Sequence, residues 1–174
     1  MKKENNIAFI DWQNLHLWTQ ADGWSVDFKK FRIYLKDKFK IQEAYYFLWF
    51  LSEDEEELYS SLQKAWFIVV FREHSSLLKW KKKWNVDVDI VFSIMKRIID
   101  KDRNIEDSEF DKIVLVSWDW DYIKIVRYLL ENWILKRLLF PNKNHSSLYK
   151  KLSNKVYYYL VDVKQKIQYK KRGS

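Results

Sequence analysis

The chain contains no cysteine, one proline, two glycines and three histidines in 174 residues. Without cysteine there is no disulfide and no thiolate metal site, and the redox compartment stays unread. His16, His74 and His145 are scattered, which fits structural or exposed imidazoles better than a histidine metal centre. No apolar run approaches the roughly 20 residues of a membrane span. Met1-Lys2-Lys3-Glu4-Asn5-Asn6 passes straight into a strand pattern and leaves no room for a signal peptide. The expectation is a cytoplasmic protein with no membrane partner. The glycine shortage is the anomaly. Ordinary usage is about 7%, and an α/β domain needs glycine at its turns, yet two glycines stand here beside ten tryptophans.

Hydrophobic residues make up 48%, enough for a substantial core, and the length suits one domain. Lysine plus arginine number 32 against 24 acidic residues, a net charge of +8 that favours polyanions as partners.

The chain is organised around Ile113-Val114-Leu115-Val116-Ser117-Trp118-Asp119-Trp120-Asp121-Tyr122. Its first four residues read as a short strand buried on both faces, the mark of a parallel sheet. Tyr122, Ile123, Val126, Leu129, Leu130 and Trp133 then recur at helical spacing. A strand, an acidic turn and a helix follow one another, and ligand sites of open α/β sheets gather at such strand ends. Two aspartates there repel unless a cation, a proton or a basic partner offsets them. A divalent metal is one reading; helix capping by Asp119 or Asp121 is the other.

The same device opens the chain. Ile7-Ala8-Phe9-Ile10 is a buried strand that delivers Asp11, followed by a loop or short helix from Trp12. Ser25 is the expected N-cap of a helix with Phe28, Phe31, Leu35 and Phe39 on one face. Ala44 to Trp49 is the second strand, and Ser52-Glu53-Asp54-Glu55 a capping box before Leu58, Leu62 and Ala65. Phe67 to Phe71 is the third strand. A basic stretch, Lys79-Trp80-Lys81-Lys82-Lys83-Trp84, leads into Val86-Asp87-Val88-Asp89-Ile90. That segment opens a helix with Asp87 on the inward line of Val91, Ile94 and Ile98, and Asp89 outward with Ser93 and Arg97, as a dipole-favoured surface charge or a minor second ligand. Ile134 to Phe140 is the fifth strand, Ser146 to Lys155 helical, and Val156 to Val163 an edge strand or docking segment. The fold class is α/β, a three-layer sandwich with a mainly parallel central sheet, over residues 1–163. Residues 164–174 form a basic, frayed tail.

In that topology Asp11, Asp87 and Asp119 approach one sheet edge, with Asp121 beside them. Oxygen ligands without cysteine or a histidine cluster suit Mg²⁺ or Mn²⁺. Asn14 and Ser117 are placed to orient a carboxylate or touch a phosphate, and Lys79, Lys81, Lys82 and Lys83 to contact a nucleic-acid backbone. For each a plainer role stands beside this one: a turn residue, a strand end, a solvated loop. An Asp-x-Asp reading of Asp119-Trp120-Asp121, as in Toprim or haloacid-dehalogenase-like domains, fits less well. The phosphatase form starts its aspartates at the strand end, and the Toprim form wants a glutamate where this chain has Asp11.

Ile10-Asp11-Trp12-Gln13-Asn14-Leu15, Lys83-Trp84-Asn85-Val86-Asp87-Val88 and Val116-Ser117-Trp118-Asp119-Trp120-Asp121-Tyr122 together resemble the motif set of the NYN domain family of PIN-like nucleases. That pattern runs Ile-Asp-Gly-x-Asn, Lys-Gly-x-Val-Asp-Val and Ser-Gly-Asp-Gly-Asp-Phe, and order and spacing agree over about residues 5 to 162. The resemblance implies a PIN-like fold and a metal-dependent ribonuclease acting on RNA, single-stranded by expectation. It implies Asp11, Asp87, Asp119 and Asp121 as the acidic cluster. It departs in two ways. Many members carry a further aspartate where this chain has Ser93, which points to a weaker second metal. Wherever the pattern has glycine, this chain has tryptophan: Trp12, Trp84, Trp118 and Trp120. Trp66 and Trp133 likewise sit where a helix end wants glycine. Some bacterial lineages read UGA as glycine, so a gene of that kind translated with UGA as tryptophan would give this composition. With tryptophan in place, base stacking by a non-catalytic RNA-binding module becomes the alternative function.

Overall fold

Alternation along the central strands decides which layer each residue serves. The computed structural model describes residues 4–48, 55–71, 86–144, 149 and 152–170. In strand β1 (Asn6–Asp11), Ala8 and Ile10 enter one apolar cluster, whereas Ile7 and Phe9 enter the other. Strand β4 (Ile113–Val116) divides the same way, with Val114 and Val116 on one side and Ile113 and Leu115 on the other. Both strands are buried throughout, as their unbroken apolar runs require of a parallel sheet covered on two faces.

The remaining strands are β2 (Ile41–Leu48), β3 (Ile68–Phe71), β5 (Leu135–Phe140) and β6 (Tyr157–Tyr159). They lie in the order β3-β2-β1-β4-β5-β6, and every pairing is parallel. The expected mainly parallel sandwich is therefore present. Helices α1 (Trp12–Ala21), α2 (Phe28–Phe39) and α3 (Glu56–Lys64) cover the first face. Helices α4 (Val86–Asp102) and α5 (Ile123–Glu131) cover the second. The order reverses direction between β1 and β4, and the register sets Ile10 beside Val116. The ends of β1 and β4 thus border the crevice where doubly wound sheets bind ligands.

Some expectations shift. Helix α2 is capped by Asp27, whose carboxylate accepts from the Lys30 N–H at 3.0 Å, and not by Ser25. Val26 bridges antiparallel to Gln168, so the chain is still extended there and cannot yet turn. The same contact corrects the frayed tail. Lys164–Ile167 form helix α6, Ile167 is fully buried, and its carbonyl accepts from the Asp27 N–H at 2.8 Å. Arg97 does not run outward; its guanidinium lies over the rings of Tyr45 and Phe110 and meets Glu43 at 3.3 Å. No helix among the described residues is long and apolar enough to cross a membrane.

Candidate metal centre

Asp11 ends β1 on the side of the sheet that Ile7 and Phe9 face, which is the side covered by α4. It is buried, and it is used at once as the N-cap of α1, its Oδ1 accepting from the Asn14 N–H at 3.0 Å. Its other oxygen accepts from the Tyr122 hydroxyl at 3.3 Å. Burial, with the charges of Asp87 and Asp119 adding to it, pushes the carboxyl up to about 7 despite these hydrogen bonds.

Asp87 stands in the first turn of α4, where the helix dipole favours a carboxylate. The buried line of that helix is Val86, Ile90, Ile94 and Ile98, and Asp87 is half-buried beside it. Burial raises its carboxyl, the charges of Asp119 and Asp121 raise it further, and a hydrogen bond from Tyr122 opposes them. Asp119 follows β4 by a short turn. Its N–H donates to the Ser117 hydroxyl at 3.2 Å, and its Oδ1 accepts from the Asp121 N–H at 3.1 Å, which starts the single 3₁₀ turn Trp120–Tyr122. Tyr149 donates its hydroxyl to the Asp119 carbonyl.

Asp87, Asp119 and Asp121 each present a carboxylate oxygen, and the three lie within 4.8 Å of one another. Asp87 and Asp119 are half-buried and Asp121 is exposed, so the group opens to solvent on one side. Among the described residues, this is the group of acidic and imidazole side chains that can hold a metal ion. Three carboxylates alone make a hard, all-oxygen donor set, which fits Mg²⁺, Mn²⁺ or Ca²⁺ and not zinc held by nitrogen or sulfur.

Three of the four predicted acidic residues therefore converge, and Asp11 sits behind them, reached through Tyr122. The Asn14 carboxamide oxygen accepts from the Trp118 N–H at 3.1 Å, which ties the β1 and β4 turns together. Ser117 is buried and turns its hydroxyl to the Asp119 backbone. Asp89 is half-buried, not the surface charge expected of it, and lies outside the group of three. Ser93 is half-buried on α4. Lys79, Lys81, Lys82 and Lys83 fall outside the described residues, as do His74, His145, the box from Ser52 to Asp54, and half of Ser146 to Lys155, whose described residues 152–155 are turn and not the expected helix. Tyr122 was missed as a site residue, because its spacing reads as helix core. A phenol inside an acidic turn was the available signal, since a buried hydroxyl must find a partner.

The fold and the site define a doubly wound parallel α/β domain with carboxylates at its switch point. The chain belongs to the NYN domain family, a nuclease-like family of that fold, whose profile matches residues 6–161. The crystal structure of a protein of unknown function from Vibrio parahaemolyticus RIMD 2210633 is similar, with a TM-score of 0.75 at 15% identity. The match covers 97% of this chain and 100% of that one, and at this identity it speaks for fold alone. No curated protein matches the chain.

Proposed function

We propose that this protein is a divalent-metal-dependent ribonuclease that hydrolyses phosphodiester bonds of single-stranded RNA in the cytoplasm. The observation that carries the proposal is the convergence of Asp87, Asp119 and Asp121 at the β1/β4 crevice. These three residues would hold Mg²⁺ or Mn²⁺, which when bound would supply Lewis acidity at the phosphate and lower the pKa of water. The chain's own side chains do the rest. Asp119 keeps its place through Ser117 and the Asp121 N–H, and Asn14 fixes the Trp118 backbone next to it. Asp11, held near neutrality by burial, lets the site carry less negative charge than four free carboxylates would. The net charge of +8 draws the polyanion in, and Lys79, Lys81, Lys82 and Lys83 precede Asp87 in sequence, where they can contact its backbone.

Cleavage of end-labelled single-stranded RNA with Mn²⁺, Mg²⁺ or chelator tests this. Cutting in either metal, absent with chelator and absent in Asp119→Asn, is the expected result. A second reading is favoured by the exposed indole of Trp120 between Asp119 and Asp121, which offers a stacking platform for a base. On that reading the protein binds RNA and does not cut it, and the same assay separates the two.

A further inference from the structure

We propose that Tyr122 is a positioning residue for the cation site: its hydroxyl, shared between Asp11 and Asp87, sets the direction of the Asp87 carboxylate. This rests on the reading of Asp87, Asp119 and Asp121 as cation ligands. The ring of Tyr122 is fully buried in the cluster under α4 and α5, so the hydroxyl is held in one place. It reaches Asp11 Oδ2 at 3.3 Å and also hydrogen-bonds Asp87. Asp119 is oriented by backbone and serine groups of its own turn, whereas Tyr122 reaches Asp87 from another element. The phenol's single proton is shared between Asp11 and Asp87, so on Asp87 it engages one oxygen and leaves the other for the ion. The buried Asp11 on the far side keeps the hydroxyl in the layer between the two acids.

Mn²⁺ affinity, measured by calorimetry on the unaltered chain and on Asp119→Asn, Tyr122→Phe, Asp87→Asn and the Asp87→Asn/Tyr122→Phe double variant, tests the proposal. Phenylalanine keeps the ring and loses one oxygen. Tyr122→Phe is expected to weaken Mn²⁺ binding roughly tenfold, the scale for losing a group that orients a ligand. The same change in the Asp87→Asn background is expected to cost nothing more, a coupling that general loosening of the core would not give. Unchanged affinity in Tyr122→Phe, an equal loss in both backgrounds, or a Tyr122→Phe chain that does not fold would each overturn the proposal. If the unaltered chain and Asp119→Asn alike bind no Mn²⁺, the ligand reading itself falls and takes this one with it.

A different observation carries a second inference. Trp66 and Trp133 have φ of 65° and 60°, in the left-handed region. Each follows the end of a helix, and each end closes with the same pair of bonds. Trp66 N–H donates to the Gln63 carbonyl and Phe67 N–H to that of Leu62; Trp133 and Ile134 repeat this on Leu130 and Leu129. That closure is the one helices make with glycine at the left-handed position. Both indoles are 82% exposed, so almost no burial repays the conformation. We infer that residues 66 and 133 are glycine in the protein its own cell makes. Reading the gene tests it, with UGA expected at both codons and peptides from the native protein carrying glycine masses at 66 and 133. UGG at codon 66 or 133, or tryptophan in those native peptides, would overturn the inference.

Discussion

The turns after β1 and β4 begin from the same device, a short apolar strand that runs out and delivers an aspartate, yet the two carboxylates end in different states. Asp11 is buried, caps α1 with one oxygen and takes the Tyr122 hydroxyl on the other. Asp119 caps a 3₁₀ turn with one oxygen and remains half-buried within reach of Asp87 and Asp121. The difference lies in how the chain leaves each strand. After β1 a ten-residue helix starts directly and folds over the carboxylate; after β4 two residues intervene and lift it out of the sheet. Identical residue types at equivalent strand ends thus divide the work, one buried as a helix cap and one open toward Asp87 and Asp121.

The largest effect separating them should appear in the pH dependence of stability. Asp11 is raised from 3.8 to about 7 in the folded chain, so the native state binds the proton more tightly than the unfolded one. That stability is fully present below pH 3.8 and is lost as pH rises through about 7. It amounts to on the order of 4 kcal/mol. Urea unfolding in chelator across this window should show the slope, and Asp11→Asn, which still offers an oxygen to cap α1, should flatten it. An unchanged slope would mean Asp11 is not the buried acid described here.

Next in size is Asp119→Asn. It should lower RNA cleavage about a hundredfold or more, beyond the range for losing a group that only orients a ligand, while far-UV circular dichroism stays the same. Asn14→Ala should be milder. It strips the Trp118 N–H of its acceptor, and the lost hydrogen bond costs about 1–2 kcal/mol in thermal melts. The smallest effects belong outside both turns: Trp66→Gly and Trp133→Gly should each stabilise the chain by about 1 kcal/mol, by releasing a left-handed φ.

Much of this arrangement was legible in the sequence because strand ends and acidic residues obey local rules. Ile7 to Ile10 and Ile113 to Val116 are too apolar to be anything but interior strands, and their parallel pairing follows from the helices between them. Asp87 stood out because it opens a long amphipathic helix. What stayed hidden depends on partners distant in sequence. Asp27 displaces Ser25 as a cap because Gln168 holds Val26 extended. Arg97 folds inward because Tyr45, Phe110 and Glu43 receive it. Tyr122 joins Asp11 to Asp87 across a gap in sequence that no periodicity reports.

The central claim is that Asp87, Asp119 and Asp121 form a divalent-cation site, and the melting temperature with and without Mn²⁺ tests it most directly. An ion that binds only the folded chain must raise that temperature in proportion to its affinity. The account predicts a rise for the unaltered chain and none for Asp119→Asn. No rise, or an equal rise in both, would contradict it.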